Sequence, residues 1–179
     1  MVLSRKFFNM TIPKEILELL ERLNGSNVII TDSEGRILTF RAKYGAKQRM
    51  IPGGKLERNE LPQYAGQSEC EEETGLYPEF LSLKLVASFM QRIAGLPNVR
   101  GFNFLFVSDK YQGGLQDSNE SEDLKFMNIE EIIQRKDEFQ TSYIRMILYY
   151  WKWKQDGIVR ITRLVEPITV DVNGKAVTV

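Results

Sequence analysis

The chain has 179 residues, 42% hydrophobic and 27% charged, which suits one globular domain with modest additions and a sizeable core. Its 24 basic and 24 acidic side chains cancel, so there is no overall basic field for wrapping nucleic acid or coating a membrane. Histidine is absent, which excludes Ser-His-Asp and Cys-His machinery and leaves carboxylates, lysine or a metal as the means of any hydrolysis.

In chain order, Met1 to Met10 lacks the apolar run of a secretory signal, and no later stretch reaches membrane-spanning length, so a soluble cytoplasmic protein is expected. Thr11 can cap a helix from about Ile12 to Leu23 or Asn24, with Ile16, Leu19, Leu20 and Leu23 as its apolar stripe. Asn27 to Thr31 and Arg36 to Phe40 read as strands joined by the turn Asp32-Ser33-Glu34-Gly35. A short strand, Gln48 to Ile51, leads into Gly53-Gly54. From Arg36 to Arg58 there are seven cations and one acid, Glu57, whereas Asn59 to Phe80 carries six glutamates and no Lys or Arg. Basic groups for phosphates would then lie beside acidic groups for a cation, with Arg41 and Arg49 as the candidate phosphate contacts. A solvated loop is the plainer reading of the basic run.

The glycine pair permits a tight turn and close approach of a ligand. Pro62 suits a first helical position, and Gly75 a left-handed cap. Between them Glu69, Glu72 and Glu73 are spaced i, i+3, i+4 and project from one helix face. Such crowding is unfavourable without a cation, and hard oxygen ligands suit Mg²⁺ or Mn²⁺. A glutamate-rich helix alone reads as a solvated face. The flanking glycines and Glu60 are what turn this one into a candidate site. Cys70, the lone cysteine, permits no internal disulfide, fits a reducing compartment and reads as a small buried hydrophobe on the inner helix side. Neither a G-x-x-x-x-G-K-S/T nor a G-x-G-x-x-G string occurs.

Phe80 to Ile93 and Val99 to Ser108 look like strands, with Phe102, Phe104 and Phe106 alternating into a sheet core. Tyr111 to Ser121 reads as a mobile loop beside the site. Within it Asp117-x-Asn119-x-Ser121-x-Asp123 starts like a calcium loop but lacks the required Gly and final Glu. Leu124 to Met127 returns as a strand, Asn128-x-x-Glu131 is a capping box, and Asp137 opens a last helix whose stripe is Phe139, Tyr143, Met146, Tyr150 and Trp153. Ile158 to Val165 reads as a strand. Ile168 to Val172 and Lys175 to Val179 form a hairpin about Asn173-Gly174, in a register that pairs Val170 with Val177 and Ile168 with Val179. Its apolar face must be covered by the domain or by a second subunit as a homodimer.

The series Gly54, five residues, Glu60, seven residues, Ser68-Glu69-Cys70, one residue, Glu72-Glu73, one residue, Gly75-Leu76 resembles the signature of the Nudix hydrolases. Ser68 stands where that pattern has Arg, and every other fixed position over these 23 residues matches. The resemblance runs from about Asn27 to Trp153. It implies an α+β fold: a Nudix-type α/β/α sandwich with a mixed sheet, carrying the C-terminal hairpin as an extension. The expected organisation is one domain over 1–179, with a core at about 26–156 and the β extension at 157–179.

The implied activity is metal-dependent hydrolysis of a phosphoanhydride in a nucleoside diphosphate linked to another group. By the resemblance, Glu69, Glu72 and Glu73 would hold Mg²⁺ or Mn²⁺ with the Gly54 carbonyl, and Glu60 would orient the cluster. The base would be Glu69 or an acid of the 120 to 122 loop, where Glu120 and Glu122 are candidates and Glu122 is also a substrate contact. The partner is a nucleotide-type small molecule, an RNA 5′ end being the one nucleic-acid form in view. Ser68 offers a hydrogen bond but no charge to aim the glutamates. The rival reading is therefore a Nudix-fold nucleotide-binding or regulatory module with impaired catalysis.

Overall fold

A computed structural model describes residues 24–93 and 96–179, excluding the side chains of 92–99. The expected helix from Ile12 to Leu23 lies outside the described residues. The central sheet has five strands in the order β10 (Arg160–Thr162), β6 (Lys84–Ile93), β7 (Leu96–Ser108), β1 (Gly25–Ile30) and β4 (Gly53–Lys55). It is mixed: β1 pairs with β7 and β10 with β6 in parallel, while β6–β7 and β1–β4 are antiparallel. A second sheet orders β3 (Arg49–Met50), β2 (Ile37–Ala42) and β9 (Ser121–Met127).

All six residues of β1 are buried, as a strand covered on both faces requires. Alternation along the strands sends Val28, Ile30 and Phe106 to one face, where they pack with Cys70 of helix α1 (Pro62–Thr74). Ile29, Leu105 and Val107 go to the other face, against Ile144 and Ile147 of helix α3 (Thr141–Asp156). Two helix layers thus sandwich a mixed sheet, the α+β architecture expected. Phe104 packs against the α1-side cluster with Phe106. Phe102, midway along β7, is 37% exposed.

Several boundaries differ from expectation for local reasons. Phe80–Ser82 is a 3-10 turn before β6, because both the N–H and the hydroxyl of Ser82 donate to the Glu79 carbonyl. Tyr111–Gly113 is a strand, β8, paired with β5 (Leu76–Pro78), so the first part of the expected loop is held by the chain that leaves α1. Helix α3 begins at Thr141, because Phe139 leaves the preceding 3-10 turn in an extended conformation and buries its ring. Asn128 caps the short helix α2 (Ile129–Gln134), its side chain accepting from Glu131 N. Of Ile158 to Val165 only Arg160–Thr162 pairs, at the sheet edge, and Ile161 is 77% exposed.

The hairpin β11 (Thr169–Val172) and β12 (Lys175–Thr178) has the expected register, Val170 opposite Val177, and Ile168 and Val179 exchange both backbone hydrogen bonds. Its apolar face is covered by its own domain: Ile168, Val170 and Val172 are buried in the α3-side core, and Trp151 Nε1 and Gln155 Nε2 donate to the Asp171 carbonyl at 2.9 and 2.8 Å. No helix among the described residues is long and apolar enough to cross a membrane. Because Ile168 is a core residue here, Ile168→Ala should lower the unfolding free energy by about 2–5 kcal/mol in urea titration. A change within the error of the fit would mean that the hairpin is not packed on the core.

Candidate active site

Helix α1 starts at Pro62 without a side-chain cap and ends at Gly75, whose φ of 76° is left-handed and whose N–H donates to the Glu71 carbonyl. Four of its six buried residues are small, Ala65, Gly66, Cys70 and Thr74, the others being Gln67 and Glu73, and the small ones bring the helix close to β1. A Cβ at Gly66 would press on Val28 and on the Ser26 hydroxyl. Burial pushes the Cys70 thiol up to about 12, in keeping with a packed, unreactive group.

This closeness puts the helix carboxylates against the glycine pair. Gly53 has a φ of 151°, and any side chain there would strike Asn27 and the Ser26 carbonyl. Asn27 Nδ2 donates to the Pro52 carbonyl at 3.3 Å and holds the turn. Gly53 N then donates to Glu73 Oε2 at 2.9 Å. Glu69 leans on Gly54, where a Cβ would collide with its carboxylate. Glu72 is exposed, and so is Ser68.

Electrostatics set these acids apart from an ordinary solvated face. Glu73 is 4% exposed. Burial, opposed by the Gly53 hydrogen bond and reinforced by Glu69, Glu120 and Glu72, pushes its pKa up to about 8. Burial likewise raises Glu69, helped by Glu72, Glu120 and Glu60, with Lys55 pulling the other way. Among the described residues no ion pair reaches Glu69, Glu72 or Glu73. Nor do three acidic or cysteine side chains among them already surround one point. The donor chemistry nevertheless fits a hard divalent cation: the three carboxylates stand together without a paired cation among the described residues, burial raises the proton affinity of Glu69 and Glu73, and Glu72 is exposed beside them.

Glu60 lies at the loop end, its carboxylate accepting from Glu57 N at 2.9 Å and its charge felt by Glu69. Glu120 belongs to the same electrostatic cluster and accepts from the Tyr44 hydroxyl at 3.3 Å. Glu122 sits on β9 opposite Arg41. The two arginines expected at a phosphate are engaged by acids instead: Arg41 pairs with Glu138 and Asp123. Arg49 is fully buried against Asp123, because β2, β3 and β9 bring acids onto the same face as the basic run. A surface cleft of ≈ 770 Å³, lined in part by Thr31, Asp32 and Ser108, lies at the other end of β1 from the glutamates. It shares no residue with them.

Three neighbours of the site carried no local signal in the sequence. Ser121 donates its hydroxyl to the Glu73 carbonyl. Tyr143, which the helical stripe assigned to core, is a phenol raised by burial and by the charge of Glu73, with an Asn27 hydrogen bond opposing. Tyr44 is raised by burial and by Glu120 and Glu73.

A family model described as the NUDIX domain matches residues 21–148. Comparison with the curated proteins finds no match. Among solved structures, the chain is similar to the solution structure of the E. coli ORF135 protein, with a TM-score of 0.59 and 21% identity over 73% of this chain and 89% of that one. A NUDIX hydrolase from Nitrosomonas europaea gives 0.59 and 18%, with the same coverages of 73% and 89%. A bifunctional NMN adenylyltransferase/ADP ribose pyrophosphatase from Francisella tularensis, complexed with AMP and a manganese ion, gives 0.57 and 17% over 77% of this chain and 44% of that one. At these identities the likeness speaks for the fold.

The raised Glu73 carboxyl makes the metal-free protein sensitive to pH. Its ordinary value is 4.5 and its folded value about 8, so the folded state binds a proton that the unfolded state releases. That contribution is fully present below about 4.5 and is lost as pH rises through about 8. In excess chelator, Glu73→Gln should therefore melt higher than wild type at alkaline pH and converge with it toward pH 4.5. Parallel melting curves across that range would show that Glu73 titrates as an ordinary surface acid.

Proposed function

The chain belongs to the Nudix family, whose hydrolases act on nucleoside diphosphate derivatives, and we propose that it hydrolyses the phosphoanhydride of a nucleoside diphosphate linked to another group, with Mg²⁺ or Mn²⁺. The observation that carries this reading is the buried Glu73 carboxylate, held by Gly53 N among acids and without a paired cation among the described residues.

Glu69, Glu72 and Glu73 would hold the cation, with the Gly54 carbonyl as a further oxygen donor. A divalent ion there supplies charge neutralisation for the diphosphate and a more acidic water. Gly53 N–H fixes one Glu73 oxygen and leaves the other for a ligand bond. Glu60 orients the cluster through the Gly54 to Glu60 loop, which its carboxylate closes on Glu57 N. Glu69 or Glu120 takes the proton from the attacking water, both being carboxylates whose charge bears on the site. The relative that was solved with AMP and manganese makes a nucleotide and a divalent ion the first ligands to try.

A second reading, a nucleotide-binding module with impaired turnover, is favoured by Ser68, which is exposed and places no cation beside the glutamates. Nucleoside triphosphates, dinucleoside polyphosphates, nucleotide sugars and capped RNA, assayed for Mg²⁺-dependent phosphate or pyrophosphate release, separate the two. Hydrolysis of at least one class is expected, with Glu73→Gln lowering turnover by about two orders of magnitude or more while the fold is kept. Nucleotide binding with silence across the panel would favour the module. If catalysis is limited by poorly aimed glutamates, Ser68→Arg should raise kcat or tighten the metal requirement. A neutral or harmful effect would show that the cluster is already aimed.

A further inference from the structure

Glu73 is gripped from two sides, by the turn into β4 and by the start of β9. On one side Gly53 N reaches its carboxylate, and the strand leading there, β3, is two residues long, paired with β2 through Phe40–Met50 and Arg41–Arg49 and bridged at Arg49 to Phe139. On the other side Ser121 Oγ reaches its backbone carbonyl, from a turn whose Glu120 carbonyl accepts Lys43 N at 2.8 Å. The two segments meet at one buried guanidinium. Arg49 is 0% exposed; its Nη1 donates to Thr39 Oγ1 at 3.0 Å and to the Asp123 carbonyl at 3.1 Å, and its Nη2 donates to the Asp123 carboxylate. Asp123 adopts a left-handed φ of 52°, which a non-glycine residue seldom accepts. It lies at the irregularity in the β2–β9 ladder between the Thr39 and Arg41 pairs, where the extra residue re-aims a side chain.

A buried arginine is costly unless it is well paired, and Arg41 and Arg135 add like-charge repulsion. Its Nε, moreover, lacks a hydrogen-bond partner. An apolar side chain would fill β3 at less cost, so the bonding of Arg49 points to positioning. We propose that the Arg49–Asp123 pair is a positioning device that locks β3 to the start of β9, fixing Glu73 between Gly53 N and Ser121 and so setting the site's affinity for a divalent cation. This rests on the reading of Glu69, Glu72 and Glu73 as cation ligands.

The test titrates Mn²⁺ against the full chain by EPR of the free ion, in wild type, Asp123→Gly, Arg49→Lys and Arg49→Met, with melting in chelator as the control for folding. Asp123→Gly relieves the left-handed backbone but strips buried Arg49 of its carboxylate partner, so its metal-free form should stay folded while melting below wild type. Its Mn²⁺ dissociation constant should nevertheless rise about tenfold or more, the usual scale for losing an outer partner of a ligand. Arg49→Lys should recover part of the affinity that Arg49→Met loses. If Arg49→Met fails to fold, Asp123→Gly alone decides. Wild-type Mn²⁺ affinity in a folded Asp123→Gly would overturn the proposal and leave the cation reading standing. Absence of Mn²⁺ binding by the wild type would remove that reading and the proposal with it.

Discussion

The arrangement depends on one contact, a buried carboxylate accepting a hydrogen bond from a backbone N–H that only a glycine turn can present. Glu73 cannot be solvated where it lies, and a buried anion needs directed donors or a cation. Gly53 N is one such donor. Its availability follows from the backbone conformation at Gly53, which side chains cannot share, and from Asn27, which anchors Pro52. One donor is little for a full charge, so the site is left with an affinity for protons that a metal ion can satisfy instead.

The scaffold is shaped to permit that contact. Helix α1 buries small side chains instead of a broad apolar stripe, so it gains less from hydrophobic burial than α3 does, but it approaches β1 closely enough for Glu69 and Glu73 to touch the β4 turn. The larger core, on the α3 side, receives the hairpin's Ile168, Val170 and Val172 and supplies much of the apolar burial. Stability is thus concentrated on one face of the sheet, and strained polar geometry on the other.

The features legible in the sequence were those with short-range causes. Pro62 and Gly75 bound α1 because each fixes a backbone conformation by itself, and Asn173-Gly174 set the hairpin register because a two-residue turn leaves little choice. The meeting of Glu69 and Glu73 with the glycine pair was readable because loop and helix adjoin in the chain. Arg49 was not: its partner Asp123 is 74 residues away, and a run of cations looks the same whether it awaits phosphate or faces an acid across a sheet. Phe139 fitted the helical stripe, yet it buries better in an extended conformation, a choice made by tertiary packing. Ile158 to Val165 had the composition of a strand, but only three of its residues find a partner at the sheet edge.

The central claim is that the α1 carboxylates and the glycine turn form a divalent-cation site. It is tested most directly by anomalous diffraction from crystals grown with saturating manganese. The account predicts a manganese peak in bonding contact with Glu73 and with Glu69 or Glu72, beside the Gly54 carbonyl. Manganese bound only to other acids, or no peak at these carboxylates, would contradict it.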